Sequence, residues 1–348
     1  MFSFIRPFIF NLDPEVAHDL AIKSLQTNLI PEKLFSVENE ELLKTNLFGK
    51  ELSNPIGLAA GFDKSAEVYN SLFKLGFGFV EVGTVTPNPQ LGNVKPRIFR
   101  LEKDKALINR LGFNNHGMHA ILKRISKNPP TGVLGINIGP NKDTIKKDDD
   151  FIAGLVNLHP FANYITINIS SPNTIGLRSL HEKDLLSSLL EKIKLTKKKK
   201  KINKPIFVKL SPDINETEIS NIIEIIFKFK IEGLIISNTS DSNRQILLDR
   251  KKEEAGGLSG KPIADLSTKL IKKFYKNSNK KVKIIGVGGV DSGESAFEKI
   301  TAGASAIQLY TGMVYKGPGI VKEIKKELIS TLKKENIKDI SEAVGINA

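Results

Sequence analysis

Short apolar runs alternate with longer amphipathic segments over most of this 348-residue chain. Strands that alternate with helices form βαβ units, so this order predicts a parallel sheet. The runs are rich in Val and Ile, which is typical of strands buried on both faces. Eight runs follow one another, and eight units close a (β/α)8 barrel. The predicted strands are NPIGLAAG, FGFVEVGT, GVLGINIG, YITINIS, PIFVKLS, GLIISNT, VKIIGVGG and SAIQLYTG.

Two regions stand outside this alternation. Residues 1–40 precede the first unit and are predicted to form a short helical extension, which leaves residues 41–348 for the barrel. The second region, Thr86–Asn128, is a long excursion after the second strand. Long ordered loops at that end of a barrel are often functional. The sequence therefore predicts an α/β fold, a (β/α)8 TIM barrel with a short N-terminal helical extension.

The extension begins with an amphipathic segment that is rich in phenylalanine. Arg6, Pro7, Asp13 and Pro14 interrupt it, so no apolar run approaches the roughly 20 residues that a spanning helix needs. Such a segment fits a membrane interface, and it fits packing against the barrel equally well. The residues alone leave both readings open. The apolar positions are Phe2, Phe4, Ile5, Phe8, Ile9 and Phe10.

Small and polar residues follow each predicted strand, at the barrel end where active sites lie. The last two clusters favour a phosphate site, because the loops after strands seven and eight often bind phosphate through backbone N–H groups. GVGG at 286–289 lets the backbone approach an anion closely, and YTG at 310–312 adds N–H groups and a hydroxyl. GGLSG at 256–260 is predicted to be a further flexible loop. A set of plain tight turns is the alternative reading.

Two lysines lie at this rim, where lysine is costly. Lys209 ends the apolar strand PIFVK, and Lys64 follows a glycine turn. A lysine at the edge of a closed site needs an anionic partner. The alternative is a side chain that reaches back to solvent, which fits Lys64 better than Lys209.

Charge and composition narrow the kinds of site. The net charge of +14 admits a nucleic-acid partner at the lysine-rich stretch Lys194–Lys204. No aromatic residue interleaves with those lysines, so we interpret the stretch as a solvated helix end and loop; attraction to anionic lipid is a third reading. The chain has no cysteine, which excludes disulfides, thiolate metal sites and a cysteine base. Its five histidines lack metal-site spacing, so no metal is predicted.

Several longer motifs follow one another along the chain: NPIGLAAGFDK, VEVGTVTPNPQ, KPRIFRL, LINRLGFNN, NISSPNT with a following GLR, ISNTS, GGLSG and GVGGV. In this order they resemble the class 2, quinone-dependent dihydroorotate dehydrogenase family. The resemblance covers the chain from the extension to about Lys322. Many motifs in the right order are far more specific than any one of them.

The resemblance implies an FMN enzyme that oxidises dihydroorotate to orotate for pyrimidine biosynthesis and passes the electrons to a membrane quinone. A hydride leaves C6 for FMN while a base removes the C5 proton. Ser171, the second serine of NISSPNT, matches that base, whereas Ser170 and Thr174 match no role. Class 1 relatives use a cysteine base, which this chain lacks.

The resemblance also implies the binding residues. Lys64 is expected to pair with the substrate carboxylate, and Asn168 and Asn173 to hold the pyrimidine ring. The FMN set is Ala60, Gly61, Phe62, Asp63, Lys64, Thr84, Asn137, Asn168, Lys209, Ser237, Gly260, Gly289, Tyr310 and Thr311. The substrate set is Lys64, Asn109, Arg110, Leu111, Gly112, Phe113, Asn168, Asn173, Asn238 and Thr239. The polar end of the quinone tunnel is assigned to His18, Arg100 and Tyr310.

The resemblance further implies one FMN per subunit, a monomer and no nucleic-acid partner. The protein is expected at the cytoplasmic face of a bacterial inner membrane, attached peripherally.

Two other function classes fit part of these observations. tRNA dihydrouridine synthases are similar FMN barrels, but they use a cysteine acid and a C-terminal helical domain for which we expect no room here. A non-catalytic phosphate-binding barrel that docks RNA through its lysines is the other class. It gives no reason for Ser171 to lie between two amides, with Lys64 and Lys209 on the same rim. A bound flavin, which makes a protein yellow, would separate it from the flavin enzymes.

Overall fold

The structure is a computed structural model that describes residues 2–38, 40–47, 49–174, 176–242 and 244–348. Its strands are β1 Thr45–Leu47, β2 Lys50–Leu52, β3 Ile56–Leu58, β4 Phe79–Val85, β5 Ile98–Leu101, β6 Ala106–Asn109, β7 Val133–Ile138, β8 Tyr164–Asn168, β9 Ile206–Leu210, β10 Gly233–Ile236, β11 Gly257–Gly260, β12 Lys283–Val287 and β13 Ala306–Leu309. Eight of them, β3, β4, β7, β8, β9, β10, β12 and β13, pair in parallel in that order and close into a barrel. The predicted (β/α)8 barrel is confirmed, and each predicted run overlaps one barrel strand.

The helices are α1 Phe2–Phe10, α2 Pro14–Gln26, α3 Tyr69–Lys74, α4 Gly117–Lys127, α5 Lys147–Leu158, α6 Lys183–Lys200, α7 Glu216–Phe229, α8 Ala264–Asn277, α9 Gly293–Thr301, α10 Thr311–Lys316 and α11 Ile320–Lys334. A reciprocal cap between Asn215 and Glu218 starts α7, and left-handed Lys230 ends it. The lysine-rich stretch is a helix end followed by a loop, as predicted, because α6 stops before left-handed Lys201.

Three aromatic rings close the barrel at the N-terminal ends of its strands. The rings of Phe79, Tyr164 and Phe207 meet edge to face, with centroids 6.4 and 5.7 Å apart. Each ring lies over a glycine at the paired position of the neighbouring strand: Phe79 over Gly57, Tyr164 over Gly135 and Phe207 over Gly233. A Cβ at these glycines would lie 2.3, 2.1 and 2.4 Å from the ring. The β1–β2 hairpin, which the sequence did not predict, packs Leu47 and Leu52 into the same cluster.

The long excursion after β4 forms part of a second sheet. Strands β5 and β6 pair antiparallel, and β11 pairs antiparallel with the other edge of β6. The prediction that GGLSG is a flexible loop was therefore wrong. Its glycines and serine carry no strand pattern, and a partner about 150 positions away in the chain supplies the hydrogen bonds.

Ion pairs and backbone contacts hold the extension against this second sheet. Glu15 of α2 pairs with Arg97 at 2.6 Å, and Arg100 of β5 donates to the carbonyls of Phe10 and Leu12 at 3.1 and 2.9 Å. The Phe10 ring also packs on Tyr315, with centroids 5.4 Å apart. One face of the extension therefore packs on the barrel domain.

The opposite face of the extension is open. Phe4 and Phe8 are 80% and 75% exposed, and Ile5, Val16 and Leu20 are exposed beside them. No helix in the described residues is long and apolar enough to cross a membrane. The division of the chain at residue 40 stays a prediction, and Met1 and Asn39 of the predicted extension lie outside the described residues.

Lys299 and Lys325 are buried away from the rim, and Lys325 pairs with Glu40 at 2.8 Å. Lys299 of α9 donates to Ala264 O at 3.2 Å and to Thr268 Oγ1 at 3.0 Å on α8. Within the described ranges no carboxylate lies within ion-pair distance of it. Burial lowers the pKa of Lys299 to about 7.

We expect Lys299→Met to stabilise the protein most below pH 7, because the native wild type must then hold a buried charge. The pKa of Lys299 is lower in the folded than in the unfolded state, so wild-type stability rises as the pH increases from 7 towards 10.5. Urea unfolding should show the difference between variant and wild type shrinking by up to about 1.4 kcal/mol per pH unit. The exposed Lys326→Met is the control and should show no such trend. A difference that is constant from pH 7 to 9 would contradict the account.

Candidate active site

One cavity of about 240 Å³ lies at the C-terminal ends of the barrel strands. It is lined by most of the residues that the sequence assigned to the cofactor and the substrate. From the cofactor set these are Ala60, Gly61, Lys64, Thr84, Asn168, Lys209, Ser237, Gly260, Gly289, Tyr310 and Thr311. From the substrate set they are Asn109, Leu111, Gly112, Phe113, Asn173, Asn238 and Thr239, and Ser171 lies among them.

Three residues of the predicted sets support the wall from behind. Asp63 is buried and its carboxylate accepts from the N–H groups of Glu67 and Val68 at 2.7 and 2.8 Å, which turns the chain before α3 begins. Burial raises the pKa of Asp63 to about 6. Phe62 packs edge-on against Tyr310, with centroids 6.2 Å apart. Asn137 lies behind Thr84 and bonds to it at 2.7 Å.

Two predicted arginines turn their side chains to other parts of the protein. Arg110 pairs with Glu254 at 2.7 Å and stacks over the Phe99 ring at 4.5 Å. Arg100 holds the end of α1 and lies 4.6 Å over the ring of Phe10. The cavity itself reaches α1, where Arg6 lines it.

A buried carboxylate in the barrel, Glu81, organises the polar groups below the cavity. Its oxygens accept from Asn137 Nδ2 at 2.8 Å, Tyr164 Oη at 2.9 Å, Thr166 Oγ1 at 3.0 Å and Gln308 Nε2 at 3.2 Å. A buried carboxylate is costly unless donors satisfy it, and here four do so. Sequence reasoning missed Glu81, although a single acid inside the apolar run FVEVG was a usable signal.

From Glu81 a chain of hydrogen bonds rises to the rim. Asn137 also accepts from Thr84 Oγ1, and Thr84 Oγ1 accepts from Asn168 Nδ2 at 2.9 Å. Asn168 Oδ1 accepts from Ser170 Oγ at 2.8 Å, and Ser170 Oγ accepts from Asn238 Nδ2 at 2.8 Å. The amides that line the cavity are therefore fixed in orientation by partners on neighbouring strands.

The two serines of NISSPNT differ in what their hydroxyls do. Ser170 Oγ is buried, donates to Asn168 and accepts from Asn238, so its role is to hold the amides. Ser171 Oγ lines the cavity and accepts from the N–H of Asn173 at 3.2 Å. Among the described residues no acceptor takes the Ser171 hydroxyl proton. Of the two, only Ser171 offers a hydroxyl to a molecule in the cavity.

Lys209 and Lys64 are two of the five lysines that line the cavity. Lys209 is buried, and burial lowers its pKa while the charge of Glu81 opposes that shift. In the part of the chain that the structure describes, Lys209 Nζ has no hydrogen-bond partner. Burial likewise lowers the pKa of Lys64 to about 8. An anion in the cavity would satisfy both groups.

Lys64 links the rim to the extension. Its Nζ lies 3.4 Å from Nε2 of His18 on α2, and the His18 ring packs edge-on against Phe62 with centroids 5.2 Å apart. Burial and the nearby Lys64 charge lower the pKa of His18 to about 3, so its Nε2 accepts from the ammonium group. His18 and Tyr310 thus contact the same ring, whereas Arg100 binds farther along the extension.

Backbone groups dominate the part of the rim that follows β12 and β13. Gly288 and Gly289 have φ of 118° and 74°, and a Cβ at Gly289 would lie 2.4 Å from Ala264 Cβ. The hydroxyls of Ser259 and Thr311 lie 2.8 Å apart across this edge. At the start of α10 the N–H of Met313 donates to Tyr310 O at 3.0 Å, whereas the N–H groups of Thr311 and Gly312 precede the first acceptor of the helix. Close backbone approach with free N–H groups suits a phosphate.

The comparisons with known proteins agree with this geometry. A family model described as dihydroorotate dehydrogenase matches residues 42–332. A protein named dihydroorotate dehydrogenase (quinone) from Bartonella tribocorum is 45% identical over 342 residues, which cover 97% of this chain and 94% of the relative. One of the same name from Rhodospirillum rubrum is 43% identical over 341 residues, covering 97% and 92%.

Solved structures show the same similarity. The crystal structure of DHODH from Eimeria tenella in complex with ferulenol has a TM-score of 0.91 at 40% identity and covers 96% of both chains. Its ligand-free form has the same TM-score and covers 96% of this chain and 99% of the other. From the family match and from identities above 40% over nearly the full length, the chain belongs to the quinone-dependent dihydroorotate dehydrogenase family, and it is an oxidoreductase of that family.

Proposed function

We propose that this protein oxidises dihydroorotate to orotate with bound FMN and passes the electrons to a membrane quinone. The observation that carries the proposal is that one cavity joins a phosphate-type rim, a buried lysine, oriented amides and a serine hydroxyl with no acceptor among the described residues. The names of the relatives add the substrate and the acceptor.

The residues present fit FMN. The rim at Gly288, Gly289 and Thr311 suits its phosphate, and the buried Lys209 lacks a hydrogen-bonding partner within the described ranges. FMN would supply the hydride acceptor there, and Lys209 is the residue that would stabilise the negative charge its ring gains on reduction. Thr84 and Asn168 line the same wall with hydrogen-bonding directions fixed from below.

Dihydroorotate carries a carboxylate and a ring with amide donors and acceptors. Lys64 supplies a cation for the carboxylate, and an anion beside it restores the charged form that burial disfavours. Asn173 and Asn238 offer amides to the ring from the loops after β8 and β10. Because Asn173 Nδ2 donates to Asn109 O at 3.1 Å, its amide is held in one orientation.

Ser171 removes the C5 proton in this proposal. Serine is a weak base, so as Oγ takes the C5 proton the hydroxyl's own proton would pass to a water molecule in the cavity, and the environment must favour the negative charge that this loss leaves on Oγ. The N–H of Asn173 donates to that oxygen, and burial of Ser171 excludes most of the water that would compete. Loss of the C5 proton to Ser171 and of the C6 hydride, which FMN would accept, gives the C5–C6 double bond of orotate.

The extension is proposed to serve quinone and membrane together. Its open apolar face suits a peripheral position in a membrane interface, at the cytoplasmic face, with the protein as a monomer. His18 and Tyr310 meet at Phe62, and Arg100 lies near the end of α1. Quinone would approach between the extension and the rim, where the cavity reaches Arg6.

Ser171→Ala is expected to lower the rate of dihydroorotate-dependent reduction of a short-chain quinone by about 10²–10⁴-fold, because proton transfer loses its acceptor. Flavin content, read from the visible spectrum, should match the wild type. Ser179→Ala removes a hydroxyl outside the cavity in the same segment and should retain full activity. A Ser171→Ala protein with more than about a tenth of the wild-type rate would show that another group takes the proton.

Replacing both exposed rings, as Phe4→Asp/Phe8→Asp, should release the protein from lipid vesicles. Burying one such ring contributes about 1.5–3 kcal/mol, so sedimentation with vesicles should fall at least tenfold. Turnover with a short-chain quinone should stay unchanged, whereas turnover with quinone embedded in vesicles should fall. The control Leu195→Asp changes an exposed side chain on α6 at the other end of the barrel. Unchanged sedimentation of the double variant would contradict the assignment.

A further inference from the structure

The arginine of the GLR stretch has no part in the proposed reaction, yet its side chain joins three strand-end segments. Arg178 Nε donates to Ser170 O at 3.3 Å, and Nη2 donates to Thr239 O at 3.1 Å. Nη1 pairs with Asp241 at 2.8 Å, and Nη2 also pairs with Asp213 at 3.2 Å. These partners follow β8, β9 and β10, so one guanidinium group connects the ends of three neighbouring strands.

Asp213 extends this connection into the segment after β10. Its Oδ1 accepts from Ser240 Oγ at 2.5 Å and from Ser242 Oγ at 2.7 Å, and its Oδ2 accepts from the N–H of Asp241 at 3.1 Å. Ser240 in turn exchanges backbone hydrogen bonds with Leu258 of β11. The carboxylate therefore sets the shape of the segment that begins with Asn238 and Thr239.

The contact with Ser170 O bears directly on Ser171. That oxygen belongs to the peptide unit that joins the two serines, and a peptide unit is planar, so fixing its oxygen fixes the direction in which the chain enters Ser171. On the other side, Asn168 and Asn238 hold the Ser170 hydroxyl. The backbone before Ser171 is therefore held from both sides.

Arg178 also acts across the cavity. Ser171 and Thr239 both line it, and the same guanidinium group binds the carbonyl before the first and the carbonyl of the second. Arg178 itself is not among the residues that line the cavity. Because Arg178 lies outside the cavity and binds two backbone carbonyls, it can position the residues that line the cavity but does not contact the substrate itself.

We propose that Arg178 is the positioning residue that fixes the distance between Ser171 and the substrate held at Thr239. The inference rests on the proposed function, since it takes Ser171 as the base. Several donors in a rigid planar fork are needed to reach four acceptors at once, and a lysine ammonium cannot span them. Its loss should therefore slow proton removal and leave electron transfer to quinone unchanged.

The test separates the two half-reactions in the full-length holoenzyme. Anaerobic stopped-flow mixing with dihydroorotate measures flavin reduction, and mixing the reduced protein with a short-chain quinone measures reoxidation. For Arg178→Lys we expect reduction to slow by about 10–100-fold, since a misplacement near 1 Å has effects of that size. Reoxidation should stay within about twofold of wild type. Dihydroorotate that carries deuterium at C5 should slow flavin reduction more in the variant than in the wild type, because proton transfer limits the rate more strongly in the variant.

Two aspartate variants serve as graded comparisons. Asp241 is 55% exposed, so Asp241→Asn removes a screened ion pair and should slow reduction by less than about threefold. Asp213 is 16% exposed and holds the segment after β10. Asp213→Asn should therefore slow flavin reduction more than Asp241→Asn and less than Arg178→Lys. If Arg178→Lys loses its flavin, Asp213→Asn takes over the test, and its loss must again be confined to flavin reduction.

Other outcomes would overturn the inference. Unchanged flavin reduction in Arg178→Lys would show that the fork is not needed. Equal slowing of both half-reactions, with a lower melting temperature and no larger isotope effect, would show a general structural role. If dihydroorotate fails to reduce the wild-type flavin, the proposed function falls first and the role of Arg178 falls with it. If dihydroorotate does reduce the wild-type flavin, unchanged reduction in Arg178→Lys or equal slowing of both half-reactions would reject the role of Arg178 and leave the proposed function standing.

Discussion

The buried carboxylate of Glu81 is the constraint on which the polar site depends. A carboxylate at that depth must be satisfied by donors, and the strands around it supply four. One of those donors, Asn137, also accepts a hydrogen bond from Thr84. Further hydrogen bonds from Asn168 to Thr84 and from Ser170 to Asn168 fix the directions of these side chains in turn. The amides and hydroxyls at the rim thus have fixed directions before any ligand arrives, which is what a site for a flat, polar ring requires.

The same interior also holds a buried group of opposite charge, Lys209. Lys209 is buried without a hydrogen-bond partner in the described residues, and burial lowers its pKa while the charge of Glu81 opposes that shift. An electron-rich ring beside a buried ammonium group stabilises its charged form. The proposed FMN would provide such a ring for Lys209. Lys64 is a second cation whose pKa is lowered by burial, and a substrate carboxylate would provide its anionic partner. His18 connects Lys64 to the extension.

The sequence predicted the barrel because its signals are local: runs of β-branched residues, helical periodicity and glycines at turns. It failed where long-range pairing decides the structure, as for β11, whose glycine-rich segment becomes a strand only through β6. At the site, a motif can name Asp63 or Asn137 but not tell that Asp63 turns the chain and Asn137 stands behind Thr84. Arg178 was missed as a connecting group because three of its four partners, Asp213, Thr239 and Asp241, are distant in the sequence and meet it only in the folded barrel.

In the proposed function, a single cavity brings flavin and dihydroorotate together. The most direct measurement is the visible absorbance of the purified wild-type protein during anaerobic addition of dihydroorotate, with orotate quantified in the same sample. We expect a yellow protein whose flavin band bleaches, one orotate formed per flavin, and a band that returns when quinone is added. A flavin that stays oxidised in the presence of excess dihydroorotate, or orotate formed without any change in the flavin band, would contradict the proposed function.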